Sequence, residues 1–359
     1  MNLKELARTL GLSQTTVSRA LNGYPEVSVK TRDRILRAAK AYEYKPNRRA
    51  RSLATGRSRR VAIVAAEGDG QGLRDPLFCA FLSGAAEVLE RHNFDWVVRQ
   101  PKLRPGDSQI ACLARDNNLE GAILTAPTHE DRAFCATAAH DFPVVVQGNF
   151  CGHDSPVSAV DYDHGLAMQA AIASLVEAGH RRIALITGPR DSVMTQSQVA
   201  AYSNAMRASG LEGAPGWVQN GTRTLPFGMR VVETLSQMRA PPTALIVGCS
   251  LIAVGVAAGL MHLKSNALRD MTYVSYDDGL CWLEPAACVD RFATLTTPAA
   301  ALGREAAKRL TQHIGTPDTA PDVRLLESGF VLDQALVTQE LPSAAPSEYA
   351  PVSGRAMLS

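Results

Sequence analysis

The first 21 residues place apolar side chains at helical spacing in two short segments. The apolar positions of the first segment share one helix face: Leu3, Leu6, Ala7 and Leu10. Those of the second segment also share one face: Val17, Ala20 and Leu21. Asn2 and Glu5 have the spacing of a capping pair, Gly11 permits a sharp turn, and Ser13 can cap the next helix. The pattern therefore predicts two short helices that are joined by a tight turn and pack together.

The polar residues of the second segment are expected to face away from this helix pair. They are Gln14, Thr15, Ser18, Arg19 and Asn22. Side chains of these types can hydrogen-bond to base edges and phosphates, as the second helix of a DNA-binding helix-turn-helix does. Any small helical hairpin with a polar outer face would give the same pattern, so periodicity alone leaves both interpretations open.

The distribution of charge favours a nucleic-acid partner. The formal net charge of the 359 residues is only +2. Residues 1–60, however, contain 15 Lys and Arg against 4 Asp and Glu, whereas the remainder contains 22 against 31. A basic end on a mildly acidic body is typical of a DNA-binding domain attached to a larger globular part. Binding to a membrane surface is less favoured, because the apolar faces are already used for helix packing.

A third helix is predicted between Ser28 and Tyr44. Ser28 has the position of an N-cap, and Pro46 ends the segment because the residue before a proline avoids helical geometry. The apolar residues expected on its inner face are Ile35, Leu36, Ala39 and Tyr42. Three helices within about 45 residues indicate a small all-helical unit at the start of the chain.

The basic segment that follows has two interpretations. Residues 47–56 can form one or two turns of helix, which is too short to be stable alone in water. The segment is therefore either a disordered basic linker or a linker that folds on DNA. In the second case Leu53 is the one large apolar side chain that could be placed against a minor-groove base step.

These segments together resemble the DNA-binding headpiece and hinge of the LacI/GalR family of bacterial transcriptional regulators. The resemblance spans residues 2–57, through runs that start at Gly11, Val27 and Tyr44. It implies that base edges are read by Gln14, Thr15 and Arg19. It implies that the DNA backbone is held by Ser13, Thr16, Ser18, Asn22, Tyr44 and Asn47. It also implies that Leu53, with Ala50 beside it, enters the minor groove.

From Val61 onward, short apolar runs alternate with segments long enough to form helices. The runs predict strands at 61–66, 95–98, 121–125, 143–146, 182–187, 244–247 and 271–276. The intervening helices are expected at 77–92, 162–179, 197–210, 228–239 and 250–263. Such alternation favours parallel sheets, and about 280 residues favour two lobes with a ligand cleft at the carboxyl ends of the strands.

The resemblance to the LacI/GalR family extends into this part of the chain. The matching segments are Asp75–Phe78, Ala178–Gly188, Met271–Asp278 and Ala293–Gly303. The fold class implied is an all-helical helix-turn-helix headpiece followed by a two-lobed α/β effector domain like that of periplasmic binding proteins. The expected boundaries are 1–46 for the headpiece, 47–60 for the hinge, 61–340 for the effector-binding and dimerisation domain, and 341–359 for a disordered tail.

The effector-binding positions implied by the resemblance are Asp75, Phe78, Gln198, Arg223, Cys249 and Asp277. Several differ from the family pattern. Gln198 stands where most members have a ligand-clamping arginine, Cys249 begins the Cys-Ser that replaces an Asn-Asp pair, and Arg223 lies near a position that is often aromatic. Loss of a bidentate donor at Gln198 disfavours an anionic effector there, although Arg223 or Arg190 could compensate. Asp277 could accept hydroxyl groups of a polyol or could instead cap a helix.

The sequence lacks motifs for dinucleotide binding and for cysteine-based metal or redox sites. The glycines of residues 68–72 do not have dinucleotide-binding spacing, and the seven cysteines include no Cys-x-x-Cys pair. We therefore expect no catalytic residues, no metal and no cofactor. Cysteine usage, together with the lack of a signal peptide or a membrane-length apolar run, favours a cytoplasmic protein.

The sequence thus predicts a homodimeric regulator, a repressor rather than an activator, that binds operator DNA and a small-molecule effector such as a sugar. Three alternatives remain. The first is a DNA-binding regulator that does not respond to an effector, the second is a solute-binding protein, and the third is an α/β enzyme.

Overall fold

The computed structural model describes residues 1–21, 24–42, 44, 58–65, 72–100, 103–137, 142–148, 157–263, 271–280, 283, 292–316 and 319–332. Four of the predicted DNA-contacting positions lie outside these residues: Asn22, Asn47, Ala50 and Leu53. The expected hinge helix, most of the glycine-rich loop and the tail beyond residue 332 also lie outside them.

Three helices form the amino-terminal unit. They are α1 (Leu3–Leu10), α2 (Gln14–Leu21) and α3 (Val29–Ala41). The predicted capping box is confirmed, since Asn2 and Glu5 each accept a hydrogen bond from the other's backbone N–H. Gly11 ends α1 in the left-handed region at φ 63°, a conformation that glycine adopts without a steric penalty. Ser13 Oγ then accepts the Thr16 N–H at 3.0 Å, which fixes the start of α2.

The core of this unit differs from the prediction on α3. Ile35 and Ala39 are buried as expected, but Leu36 and Tyr42 are 46% and 48% exposed. Leu36 lies about 100° around the helix from Ile35, and Tyr42 is the C-cap residue beyond the last helical turn. The apolar face of α3 is therefore narrower than the sequence pattern indicated.

The first lobe contains a six-stranded parallel sheet with the order β11-β5-β4-β3-β1-β2. Its strands are β1 (Arg60–Val64), β2 (Asp95–Arg99), β3 (Gly121–Leu124), β4 (Val144–Gln147), β5 (Ser158–Tyr162) and β11 (Val323–Leu326). Its helices are α4 (Pro76–Arg91), α5 (Gln109–Ala114), α6 (His129–Thr137) and α11 (Ala299–Gly315). Two apolar clusters, one on each face of the sheet, form its core.

The second lobe contains another six-stranded sheet, with the order β12-β10-β9-β8-β6-β7. Its strands are β6 (Ile183–Thr187), β7 (Val218–Asn220), β8 (Ala244–Val247), β9 (Thr272–Asp277), β10 (Phe292–Thr296) and β12 (Gly329–Leu332). Its helices are α7 (His164–Glu177), α8 (Val193–Ala208), α9 (Leu225–Ser236) and α10 (Ser250–His262). Only β12 runs antiparallel among these strands, against β10.

The predicted alternation of strands and helices is confirmed, with shifted boundaries. Each of the seven predicted strands overlaps an observed one, and each of the five predicted helices overlaps α4, α7, α8, α9 or α10. The expected helix start at residue 162 is wrong, because Tyr162 ends β5 and Asp163 caps α7 by accepting the Leu166 N–H. No helix in the described part of the chain is both long and apolar enough to cross a bilayer.

The chain passes between the lobes three times within the described residues. It crosses from β5 to α7, from β10 to α11, and from β11 to β12. The three crossings are joined by hydrogen bonds, since Tyr162 Oη donates to the Pro298 carbonyl at 3.1 Å and the Asp163 N–H donates to the Leu326 carbonyl at 2.9 Å. The lobes are thus connected by three cross-linked crossings, here called the interlobe hinge to distinguish them from the expected hinge at residues 47–60.

Two glycines allow α4 and α11 to pack backbone to backbone in the first lobe. A Cβ at Gly84 would lie 1.9 Å from the Ala300 carbonyl oxygen, and one at Gly303 would lie 2.0 Å from that of Phe81. Both neighbours are main-chain atoms of packed helices, which cannot move without separating the helices.

We expect Gly303→Ala to lower the free energy of unfolding by about 2 kcal/mol or more, because the new methyl group overpacks this contact. Gly315→Ala, on the same helix, is the matched control, because the space that its Cβ would occupy is open within the described part of the chain. Urea unfolding followed by circular dichroism measures both. Equal midpoints for the two variants would contradict the close packing of α4 on α11.

Candidate functional site

The outer face of α2 carries the predicted base-reading residues. Gln14, Thr15 and Arg19 are all exposed, whereas Val17 and Ala20 are buried against the other helices. This arrangement leaves one polar helix face available to a partner molecule. A helix of this width fits the major groove of B-form DNA.

The predicted backbone-contacting residues border this face. Ser13 is exposed, and Thr16 and Ser18 are half-buried beside it. Ser13 Oγ and Thr16 Oγ1 lie 2.8 Å apart, so a hydrogen bond between their hydroxyls supports the start of α2. Tyr44 is half-buried and packs against the core of the helical unit, and its burial raises the pKa of the phenol.

Two arginines of the helical unit serve its structure instead. Arg32 Nη2 donates to the Tyr24 carbonyl at 2.6 Å, and Arg34 Nη2 donates to the Leu10 carbonyl at 3.0 Å. The positive charge of the unit is therefore divided between arginines that hold its loops and those, such as Arg19, whose side chains are exposed on α2.

A second candidate site lies between the two lobes. In a parallel sheet all strands end at one edge, and the loops after the strands of the second lobe meet there. These loops carry Gly188 after β6, Arg223 after β7, Cys249 after β8 and Asp278 after β9. Asp75 faces them from the first lobe, at the start of α4.

Asp75 and Arg223 form an ion pair across this cleft. Asp75 Oδ2 lies 3.7 Å from Arg223 Nη2, and the two side chains are 15% and 19% exposed. The other carboxylate oxygen, Oδ1, accepts the Leu77 N–H at 2.9 Å and so caps α4. Asp75 is therefore held by its own helix while it reaches the opposite lobe.

Gln198 is completely buried and already makes two hydrogen bonds. Its Nε2 donates to the Gly248 carbonyl at 3.0 Å, and its Oε1 accepts the Thr187 hydroxyl. The amide thereby links the ends of β6 and β8. Because the side chain is completely buried, a ligand could reach the remaining N–H and lone pair of the amide only if neighbouring groups moved.

The two adjacent aspartates after β9 have different environments. Asp277 is half-buried, and its Oδ1 accepts the Gly279 N–H at 2.9 Å. Asp278 is buried, its Oδ2 accepts the Ser250 N–H at 2.8 Å, and it therefore caps α10. Burial raises the pKa of Asp278 to about 7, against the opposing effects of the Ser250 hydrogen bonds and of Arg223.

Two further predicted positions are buried. Phe78 packs in the core of the first lobe. Cys249 packs in the core of the second lobe, where burial raises the pKa of its thiol to about 12, so the thiol is neutral. Among the six predicted effector positions, the structure therefore brings Asp75 and Arg223 into contact and leaves Asp277 partly accessible.

Sequence reasoning missed two residues of the cleft, Thr195 and Asp278. Thr195 lies in the first turn of α8 and is 1% exposed. A Cβ at Gly188 would lie 2.8 Å from Thr195 Oγ1 and 3.3 Å from Arg223 Nη1, so both polar atoms border Gly188. The helical position of Thr195, one turn before Gln198, was the signal that could have identified it.

The described residues give no indication of a metal centre. No group of three or more His, Cys, Asp or Glu side chains among them is arranged to hold a metal ion. The chemistry of the cleft is that of hydrogen bonds and ion pairs.

Comparison with protein families identifies both parts of the chain. Residues 2–47 match the family of bacterial regulatory proteins, lacI family. Residues 172–332 match a periplasmic binding protein-like domain. The first match covers the helical unit, and the second covers the second lobe from the middle of α7 onward, together with α11 and β11.

Two curated regulators are similar over almost the whole chain. The HTH-type transcriptional regulator AglR of Rhizobium meliloti is 31% identical over 332 residues, which cover 92% of this chain and 93% of AglR. The HTH-type transcriptional regulator CelR of Thermobifida fusca is 30% identical over 344 residues, which cover 94% of this chain and 97% of CelR.

Solved structures give the same result. A CelR–cellobiose complex is 26% identical with a TM-score of 0.64, and the match covers 92% of this chain and 98% of that one. A lac repressor dimer bound to operator and an anti-inducer is 20% identical with a TM-score of 0.73, covering 92% and 97%, which shows a shared fold. The exposed polar face of α2, the two-lobed body and the identity to AglR together show that this chain belongs to the LacI family of helix-turn-helix transcriptional regulators.

Proposed function

We propose that this protein is a cytoplasmic, homodimeric repressor that binds operator DNA and is controlled by an uncharged carbohydrate in the cleft between its lobes. It acts by binding and catalyses no reaction. Residues 1–46 read the DNA, residues 47–60 form the hinge, and residues 61–340 bind the effector and form the dimer.

The exposed face of α2 supports the DNA-binding part of this proposal. Gln14, Thr15 and Arg19 are exposed on α2, and Arg19 is suited to bidentate contact with a guanine. Ser13, Thr16, Ser18 and Tyr44, together with Asn22 and Asn47, would fix the register of the helix on the phosphates. Two such units in a homodimer would bind the half-sites of a near-palindromic operator.

The hinge would connect DNA binding to the body of the protein. Leu53, with Ala50 beside it, would enter the minor groove at the operator centre and be ordered only on DNA. A change in the lobes would then favour or disfavour the DNA-bound hinge, as a shift between two populations.

The pairing of Asp75 with Arg223 is the main observation in favour of an uncharged effector. An arginine whose charge is already balanced by a carboxylate has no net attraction for an anionic ligand. Asp277 adds a carboxylate that can accept hydroxyl hydrogen bonds. A polyhydroxyl, uncharged ligand fits this arrangement, and the solved complex of the similar regulator CelR contains cellobiose.

We expect selection from random duplex DNA to recover a palindromic site, and Arg19→Ala to weaken its binding by about tenfold or more. The loss should depend on the base that Arg19 contacts. Arg8→Ala removes the same charge from the exposed face of α1 and is the matched control, with little effect on sequence preference. Gel-shift titrations at fixed salt measure both. Equal losses on all sequences would contradict base reading by Arg19.

We expect isothermal titration calorimetry to detect cellobiose binding to the full-length protein, and Asp277→Asn to weaken it by about tenfold through loss of charge-assisted hydrogen bonds. Glu212→Gln removes one negative charge from an exposed loop and should leave the affinity unchanged. If cellobiose and other neutral disaccharides fail to bind, a regulator without a carbohydrate effector becomes the better account.

The raised pKa of Asp278 predicts a pH-dependent stability. The folded protein keeps the proton up to about pH 7, whereas the unfolded chain releases it near 3.8, the ordinary pKa of an aspartate. The stabilisation is therefore complete below about pH 4 and is lost as the pH rises to about 7. Each pKa unit corresponds to about 1.4 kcal/mol.

We expect Asp278→Asn to gain thermal stability relative to the wild type as the pH is raised from 4 to 7. Asn retains an oxygen that can accept the Ser250 N–H. Glu212→Gln, the control, removes an exposed carboxylate, keeps the buried carboxyl of Asp278 and should keep the wild-type dependence. Differential scanning fluorimetry at fixed protein concentration measures all three. A difference between Asp278→Asn and the wild type that is constant with pH would contradict the proposed titration.

A further inference from the structure

The two lobes touch each other along the cleft through apolar side chains as well as through the ion pair. Leu77 and Ala80 of α4, in the first lobe, pack against the core of the second lobe. Val193 at the start of α8 packs against the core of the first lobe, where a Cβ on Gly148 would meet it at 2.8 Å. The Asp75–Arg223 pair lies among these contacts, at the start of α4 and in the loop before α9.

Arg223 contacts Asp75 in an ion pair and also has a buried nitrogen that makes no hydrogen bond among the described residues. Its Nη2 faces Asp75 at 3.7 Å. Its Nη1 is buried and makes no hydrogen bond within the described part of the chain. Thr195 Oγ1, which borders the same glycine, Gly188, is likewise buried without a hydrogen-bond partner among the described residues. Two buried donors without acceptors are costly unless an acceptor oxygen reaches them.

The charges around Arg223 come from both lobes. Asp75 faces it from α4, while Asp278, which follows β9, interacts with it from the second lobe. Asp277 lies next to Asp278 and raises its pKa, and the neutral thiol of Cys249 is nearby. Among these side chains, Asp75 is the carboxylate that forms an ion pair with the guanidinium across the cleft.

We propose that the Asp75–Arg223 pair is a latch that closes the lobes without an effector and that restricts the cleft to ligands presenting an uncharged acceptor oxygen to Arg223 Nη1 and Thr195 Oγ1. The selectivity part rests on the proposed function, because it assumes that the effector binds in this cleft. The latch itself does not, because protein side chains alone form it.

The selectivity follows from charge balance. A carboxylate ligand at Arg223 would be placed close to Asp75 and would be repelled by it, whereas a hydroxyl or ring oxygen would not. An uncharged acceptor can use the free Nη1 donor while Asp75 keeps Nη2. The ligand then joins an existing contact between lobes and stabilises the closed arrangement.

A double-mutant cycle on the full-length protein tests the latch. Asp75→Asn keeps an N-cap side chain on α4 but removes the charge, and Arg223→Gln removes the other charge. We expect each variant to increase hydrogen exchange in the loop at 221–224 and the radius of gyration from small-angle scattering. The double variant should change both no further, since either substitution alone breaks the pair.

Glu87 and Arg304 provide the matched control pair. Glu87 Oε2 lies 3.4 Å from Arg304 Nη1, and both residues belong to helices of the first lobe. Glu87→Gln and Arg304→Gln should leave the exchange of loop 221–224 unchanged. The latch would be overturned if exchange and scattering stayed at wild-type values in Asp75→Asn and Arg223→Gln. It would also be overturned if the effects of the two substitutions added up in the double variant.

Calorimetry with cellobiose and its aldonic acid, cellobionate, tests the selectivity. Asp75→Asn should increase the affinity for cellobionate relative to cellobiose by about tenfold, because the arginine then has no competing carboxylate in contact with it. An unchanged ratio would overturn this part of the proposal. If wild type and variant bind neither sugar, the carbohydrate effector is wrong, and the exchange measurements alone decide the latch.

Discussion

The hydrogen-bonded hinge between the lobes is the constraint on which the rest of this structure depends. Three chain crossings lie side by side there, held by Tyr162 Oη on the Pro298 carbonyl and by the Asp163 N–H on the Leu326 carbonyl. Three hydrogen-bonded chain crossings allow the lobes to rotate relative to each other as rigid bodies but resist their separation. The effector cleft can therefore open and close without disturbing either sheet.

A buried polar group lies at the first of these crossings. His164, the first residue of α7, has its Nε2 3.4 Å from Asp161 Oδ1, and its ring lies 5.6 Å from that of Tyr276. These residues belong to β5, α7 and β9, so they join the first lobe to the second at the base of the cleft. The hinge is thus packed with ionisable and aromatic side chains instead of being a simple linker.

The cleft above the hinge balances its charges internally. Asp75 compensates Arg223, Gln198 is satisfied by its own lobe, and Asp278 is taken up in capping α10. A ligand that enters such a site gains most by hydrogen bonding to the remaining donors and by joining the two lobes. Effector binding is then coupled to lobe closure. The segment at residues 47–60 could transmit the resulting change in lobe arrangement to DNA.

Much of the fold could be predicted from local patterns. The capping box at Asn2 and Glu5, the turn at Gly11 and the buried runs of the two sheets all depend on short-range spacing, and all are observed. The third helix shows the limit of this reasoning, because Leu36 and Tyr42 are apolar residues that the fold leaves exposed. Apolar type alone does not reveal which residues face a partner.

The strands β5, β7, β10, β11 and β12 show a second limit. They are not among the strands predicted from the sequence, because they are short or of mixed composition. One of them, β11, also pairs with β5, which lies far away in the sequence. Which strands pair, and in which register, depends on tertiary contacts that the periodicity of the sequence does not specify.

The cleft was harder to predict than the fold, for the same reason. A resemblance to a family gives positions, such as Gln198 and Phe78, but not whether the side chain is already used in packing or hydrogen bonding. The contact between Asp75 and Arg223 joins residues about 150 positions apart and depends on how the lobes meet. Thr195 and Asp278 could be identified as cleft residues only once the structure showed that they are buried.

In the proposed mechanism, ligand in the cleft and DNA at α2 are coupled through the arrangement of the lobes. The most direct test is to measure the dissociation constant for the selected operator at fixed salt, with and without saturating cellobiose. We expect the dissociation constant to change by at least about fivefold, the lower end of common allosteric coupling, with a reciprocal change in cellobiose affinity when operator is bound. Operator affinity that is unchanged while cellobiose binds would contradict it.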